Sequence, residues 1–185
     1  MPDLKGAART IDPKAAAPAG TNLLFLREEE IRAAQDLLFF AYRDFTNAAD
    51  VILEELGLGR AHHRVLHFIG RNPGLAVSDL LSILRITKQS LARVLTTLIE
   101  QGYVAQTPGR ADRRQRLLTL TASGQALERR LFERQRERLV AAYREAGGAA
   151  VEGFRRVMRS IMEEPARAYV DRAEQPARAP RPRQA

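Results

Sequence analysis

Apolar positions recur every seven residues between Arg27 and Leu56. Ile31, Leu38, Phe45 and Ile52 mark one seam, with Ala34, Ala41 and Ala48 between them. A repeat held for about four heptads predicts a long helix packed against other helices. Leu37, Phe40 and Tyr42 widen the stripe, Glu28, Glu29 and Glu30 suit the positive end of the helix dipole, and Gly57 and Gly59 end the helix. Shorter helices are predicted over His62–Gly70, stopped by Asn72, Pro73 and Gly74, then over Ser78–Leu84 and Lys88–Gln101. Only Arg85-Ile86-Thr87 separates the last two. In the Lys88 helix, Leu91, Val94, Leu95 and Leu98 form the apolar stripe, while Lys88, Gln89, Ser90, Arg93 and Thr97 occupy the other face. Thr87 is the expected N-cap and Gly102 the C-cap glycine.

The period then shortens. Tyr103–Thr107 and Arg116–Thr121 read as strands around the turn-rich stretch Pro108–Arg113, a hairpin with a longer-than-minimal loop. Two further helices are predicted, from Gln125 to Glu145 and from Ala149 to Val170, separated by Gly147-Gly148 and opened by Ser123 or Gly124. Their apolar residues, like those of the first helix, exceed what one small layer can bury. A separate helical layer and a partner are therefore expected.

The chain ends differ in composition. Residues 1–22 are rich in Ala, Gly and Pro, and residues 173–185 in Pro and Arg; both read as disordered. The 185 residues carry 30 Lys plus Arg against 22 Asp plus Glu, a formal charge of +8 that points to a polyanionic partner. Only Lys5, Lys14 and Lys88 are lysines, so Lys88 is the single one in the predicted folded region. With no cysteine, disulfides, thiolate metal sites and cysteine redox chemistry are excluded. No apolar run approaches the roughly 20 residues of a membrane span, and no signal peptide is read at the N-terminus, so a cytoplasmic protein is expected.

Helix, helix, tight turn, helix and hairpin over residues 62–124 is the order of a winged helix-turn-helix. Its exposed helix can reach base edges in the major groove. A hairpin carrying Arg110, Arg113, Arg114 and Arg116 against the lone acid Asp112 suits the adjacent backbone or minor groove. The segment ADRRQRLLTLTASG, residues 111–124, resembles the wing signature of MarR-type regulators, Asp-x-Arg followed by an apolar-x-Leu-Thr-x-x-Gly strand. SDLLSILRITKQSLARVLTTLIEQGYV, residues 78–104, is similar to that family's recognition segment. The likeness covers about residues 25–170. The expected fold is mainly α, a winged helix-turn-helix with a two-stranded β-wing and a dimerisation layer of N- and C-terminal helices. The expected divisions are an arm over 1–22, a dimerisation helix over 23–57, the DNA-binding region over 58–124, C-terminal dimerisation helices over 125–172 and a basic tail over 173–185.

The resemblance implies a homodimer in which the first and last helices of two chains interleave over a pseudo-palindrome in double-stranded DNA. Carried over by position, Thr87, Lys88, Gln89, Ser90 and Arg93 face the major groove. Gln89 could pair with adenine, and Arg93 or Lys88 with guanine or phosphate. Thr97 is read as a phosphate contact, and Arg113 or Arg110 as the minor-groove residue. Arg114 fills the signature's arginine position and either joins them or braces the hairpin with Asp112. A transcriptional repressor is the expected role, with a non-specific architectural DNA binder as the alternative; Gln89 and Ser90, base-edge residues, favour the former.

Family members also bind small aromatic or amphipathic molecules. The corresponding region here holds Phe39, Tyr42, Arg43, His62, His63 and His67, where a guanidinium beside aromatics could hold a carboxylate; the same residues also suit dimer packing. His63 and His67 have a metal-ligand spacing, but Arg64 stands where a zinc protease motif has Glu, and no histidine lies outside the trio. No metal or cofactor is expected. Hydrolase, phosphate-loop and dinucleotide signatures are absent, so no enzyme activity is expected.

Overall fold

The computed structural model describes residues 23–110 and 112–174. The expected arm over 1–22 and the tail from residue 175 lie outside the described residues. The elements are a 3₁₀ turn at Leu23–Leu26, α1 (Glu28–Glu55), α2 (Arg60–Arg71), β1 (Leu75–Ala76), α3 (Val77–Leu84), α4 (Lys88–Glu100), β2 (Val104–Pro108), β3 (Arg116–Leu120), α5 (Ala122–Ile161) and α6 (Ala166–Glu174). The chain divides into two units within α1, between Tyr42 and Arg43.

The first unit contains the 3₁₀ turn and the opening half of α1. Its described side chains are exposed throughout, including Ile31, Leu37, Leu38 and Phe39. Arg32 pairs with Glu28 one turn earlier at 2.7 Å, on the exposed helix surface.

The second unit is built around one apolar core. The rest of α1 contributes Ala49, Ile52 and Leu53, α2 contributes Val65, Leu66 and Ile69, and α3 contributes Leu80. Leu91 and Leu98 of α4, Leu118 of β3, and Leu127 and Leu131 of α5 complete it. The stripe of α4 falls on this core because its apolar residues are three and four apart.

Beside the core lies an antiparallel sheet in the order β1-β3-β2. Val104 faces Leu120 and Pro108 faces Arg116, which sets the hairpin register. The expected two-stranded wing is thus extended by a third strand, with Leu75 opposite Leu118 and Ala76 opposite Leu117. Two residues are too few to display an alternating pattern, which is why β1 left no trace in the periodicity.

The C-terminal helices also depart from expectation. Gly147, at φ 77° and ψ 165°, breaks α5 at the expected point. The rings of Tyr143 and Phe154 lie 6.3 Å apart across the break. Eleven residues of straight helix would separate them by about 16 Å, so the chain folds back there. The helix predicted over Ala149–Val170 stops at Ile161 and restarts at Ala166. Pro165 explains the gap, since it has no amide hydrogen and disfavours helix in the residue before it. Ala173 and Glu174, expected in the tail, close α6 instead; Glu174 is ion-paired with Arg159.

Candidate nucleic-acid interface

The helix-turn-helix begins with a tight turn. Arg85 takes the left-handed conformation, φ 51° and ψ 44°, and its amide donates to the Leu81 carbonyl at 2.9 Å, closing α3. Two residues later Thr87 opens α4. Its hydroxyl accepts from the Ser90 amide at 3.1 Å and donates to the Ser90 hydroxyl at 2.9 Å. Thr87 is therefore the expected N-cap, and its hydroxyl proton is already committed within the chain.

Lys88, Gln89, Ser90 and Arg93 are exposed on α4, opposite the buried Leu91, Val94, Leu95 and Leu98. Thr97 is half-buried, and its hydroxyl donates to the Arg93 carbonyl at 3.2 Å. Its oxygen keeps acceptor capacity, but the proton a phosphate contact needs is engaged.

The wing tip is fixed by backbone geometry. The Gly109 amide donates to the Gln115 carbonyl at 3.0 Å, and the Gln115 amide to the Asp112 carbonyl at 3.1 Å. A Cβ at Gly109 would stand 2.7 Å from that Asp112 oxygen, so the position excludes other residues. The Asp112 carboxylate accepts from the Arg114 amide at 2.9 Å, an Asx-type turn. Asp112 thus braces the hairpin through backbone. Among the described residues, the Arg114 guanidinium makes no ion pair with it and stays exposed.

A second set of bonds joins α4, wing and α5. The carbonyl of Gly102, at φ 73° just past α4, accepts from the Thr121 hydroxyl at 2.6 Å and the Ser123 hydroxyl at 2.8 Å. Thr121 caps α5, accepting from the Gly124 amide at 3.1 Å, the place assigned by sequence to Ser123 or Gly124. A Cβ on Gly124 would lie 2.0 Å from the Tyr103 carbonyl oxygen. That close approach is the physical content of the Leu-Thr-x-x-Gly signature. Between α3, α4 and the wing lies a groove of about 580 Å³, floored by Leu81, Leu91, Leu95 and Ile99 and rimmed by Lys88 and Arg116.

Several arginines of α5 are matched by acids, unlike the cations of α4 and the wing. On α5, Arg129 and Arg136 pair with Glu133, Arg130 with Glu55 and Arg155 with Glu152. Lys88, Arg93, Arg110, Arg113, Arg114 and Arg116 are all exposed, and among the described residues none pairs with an acid. A cluster of uncompensated cations around one capped helix and one hairpin is suited to an extended polyanion.

The residues considered for a ligand have separate engagements. Phe39 and Tyr42 are exposed in the first unit. Arg43 donates to the neighbouring Asp44 at 2.8 Å, a bond that raises the pKa of the arginine and lowers that of the acid. His62 Nδ1 accepts from the Gly59 amide at 3.0 Å, so this ring caps α2. Burial lowers the pKa of His62 and His63. His67 is lowered to about 4 by burial, then by Arg71 and His63, and lies 3.9 Å from Glu128, itself raised by burial. Among the described residues, no three His, Asp or Glu side chains converge as a metal site, and no helix is long and apolar enough to cross a membrane.

Sequence reasoning did not single out Arg85. The signal was present: a residue without a glycine's freedom between two helices three residues apart. It also read Gly102 as a cap without the clasp that Thr121 and Ser123 place on it.

Residues 56–115 match the MarR family. The chain is 54% identical over 147 residues to the HTH-type transcriptional regulator PetP of Rhodobacter capsulatus, covering 80% of this chain and 89% of that protein. A MarR family transcriptional regulator from Listeria monocytogenes, solved in complex with 26mer DNA, superposes with a TM-score of 0.62 at 19% identity, over 79% of this chain and 97% of that one. MarR from E. coli in complex with operator DNA, a mutant form, superposes with a TM-score of 0.57 at 20% identity, over 76% and 99%. The two structures share the fold described above, and the long match to PetP carries the family: the chain belongs to the MarR family of DNA-binding, winged helix-turn-helix transcriptional regulators.

Proposed function

We propose that the protein is a sequence-specific regulator that binds a pseudo-palindromic operator as a homodimer and represses by occupying it. The observation that carries the reading is the set of six cations around the exposed polar start of α4 and the wing that have no acid partner among the described residues. Gln89 and Arg93 read base edges, Lys88 holds the backbone, with Thr97 joining it only by turning its hydroxyl away from the Arg93 carbonyl, and Arg110 and Arg113 reach the minor groove, with Arg114 available beside them. Two chains meet through the exposed apolar residues of α1 and of late α5, including Phe154, Val157 and Ile161. Solved relatives in complex with DNA support this reading. An effector carboxylate drawn to Arg43 would have to displace Asp44 first.

Selection of bound fragments from sheared genomic DNA at near-physiological salt tests the proposal. An enriched motif with two-fold symmetry and half-sites about one helical turn apart is expected. Uniform recovery would favour the architectural alternative. A reporter behind the recovered site should be silenced by the protein; activation would overturn the repressor assignment.

A further inference from the structure

Among the described residues, Arg85 is the one non-glycine residue at positive φ. Glycine or asparagine closes a helix in this conformation at less steric cost, so an arginine is kept there against a local preference. Packing does not explain it, because 61% of its side chain is exposed. What the position offers is location. It lies two residues before the cap of α4, and a recognition helix enters the groove by its N-terminus, which brings the preceding turn to the phosphates at the groove edge.

The Arg85 guanidinium is nevertheless occupied. Its Nη1 lies 2.9 Å from Oε2 of Glu163, a residue 78 positions later in the link between α5 and α6. That link is held in place. The Tyr169 hydroxyl of α6 accepts from Asn72 at 2.9 Å, and its ring meets Phe68 of α2 edge-on at 5.2 Å. The Arg167 guanidinium donates to the Met162 carbonyl at 2.7 Å. Docking α6 on α2 thus delivers a carboxylate to the turn before the recognition helix.

We propose that Arg85 is a contact to the DNA phosphate backbone and that Glu163 is its built-in competitor, so that the C-terminal segment tempers affinity for DNA. The inference rests on the DNA-binding reading above. Glu163 holds Nη1 alone, but a carboxylate and a phosphate on one guanidinium repel each other, so the anion already in place opposes DNA at Arg85. Both partners are exposed, so the contact is weak enough to yield.

The test measures binding of the full chain to a labelled mixed-sequence duplex between about 50 and about 200 mM salt, where each released phosphate contact changes the log–log slope by about 0.9. Glu163→Gln should tighten binding about two- to fivefold at the low-salt end, the range an exposed ion pair supports, and steepen the slope. Arg85→Gly, which relieves the left-handed strain and so keeps the fold, should weaken binding and flatten the slope. In the Arg85→Gly background, Glu163→Gln should then have no effect. Unchanged binding by Glu163→Gln overturns the proposal. So does an equal gain with and without Arg85, which would mean only a general change of charge. A wild-type chain that binds no duplex at any salt would instead remove the DNA-binding reading itself.

Discussion

Leu91 and Leu98 of α4 keep 1% and 0% of their surface, while Leu37 and Phe39 of α1 keep 70% and 71%. Both helices are amphipathic in sequence, and both carry leucine at helical spacing. The difference is that α4 has its partners within the chain, from α2 and β2, whereas the first half of α1 has its apolar residues exposed. Periodicity alone shows that a helix has an apolar face; it does not show whether that face is covered by the same chain or by another. The same sequence rule therefore describes a finished surface on α4, free to present polar groups, and an unfinished one on α1.

The contrast can be broken most forcefully at the core. Leu98→Ala is expected to cost about 2–5 kcal/mol in denaturant unfolding, the range for truncating a buried leucine. Phe39→Glu should instead leave the far-UV helical signal in place and shift sedimentation equilibrium toward the single-chain mass. A Phe39→Glu chain that unfolds, or that keeps the wild-type mass, would contradict the idea that this face awaits a second copy.

Gly124→Ala comes next, at about 1–3 kcal/mol, because the added methyl meets the Tyr103 carbonyl, which cannot move without shifting the wing. The exposed side of α4 is tested by binding. Arg93→Ala should cost roughly 1–3 kcal/mol on the selected operator and little on scrambled DNA, while Arg110→Ala should weaken both and flatten the salt dependence. Equal losses for Arg93→Ala on the two duplexes would remove it as a base reader.

The smallest effect is on pH. His67 has a folded pKa of about 4, below the ordinary value of 6.5, so the unfolded chain binds more protons between these values. Stability should therefore fall as pH drops from about 6.5 to about 4. With 41% of the side chain exposed, the loss is screened to about 1 kcal/mol. The raised pKa of Glu128 works in the opposite direction, since the folded state takes up its proton first. His67→Gln should flatten the acid limb of a Tm-against-pH curve; an unchanged limb would assign the loss to other groups.

The helices were legible because their stripes are long, and Thr87, Gly102 and Gly147 act where local chemistry predicts. The wing was legible for the same local reason, as turn residues between two alternating runs. What escaped depends on groups distant in sequence. Strand β1 exists only because β3 offers it an edge at Leu117 and Leu118. Asp112 reads from composition as an ionic partner for arginines, yet a backbone amide two residues away takes its carboxylate. Pro165 lies inside the apolar spacing that reads as one helix over Ala149–Val170, although its missing amide hydrogen is the stronger signal. The cations of the α4 and wing surface were all recognisable as candidates. That they stay unpaired among the described residues, while Arg129, Arg130, Arg136 and Arg155 of α5 find acids, could be seen only once the chain was folded.

The clasp on the Gly102 carbonyl has a mechanical consequence. Thr121 and Ser123 tie the end of α4 to the start of a helix that runs about 37 Å before Gly147, at the usual rise per residue. Joined in this way, α5 is a lever and α4 the tool on its short arm. A tilt of about 5° at the far end would displace the near end by about 3 Å over that length. In the homodimer proposed above, the gauge between two recognition helices would then be set far from the DNA. Duplex DNA fixes the distance between successive major grooves, so a small turn of the levers suffices to put both tools out of step with it.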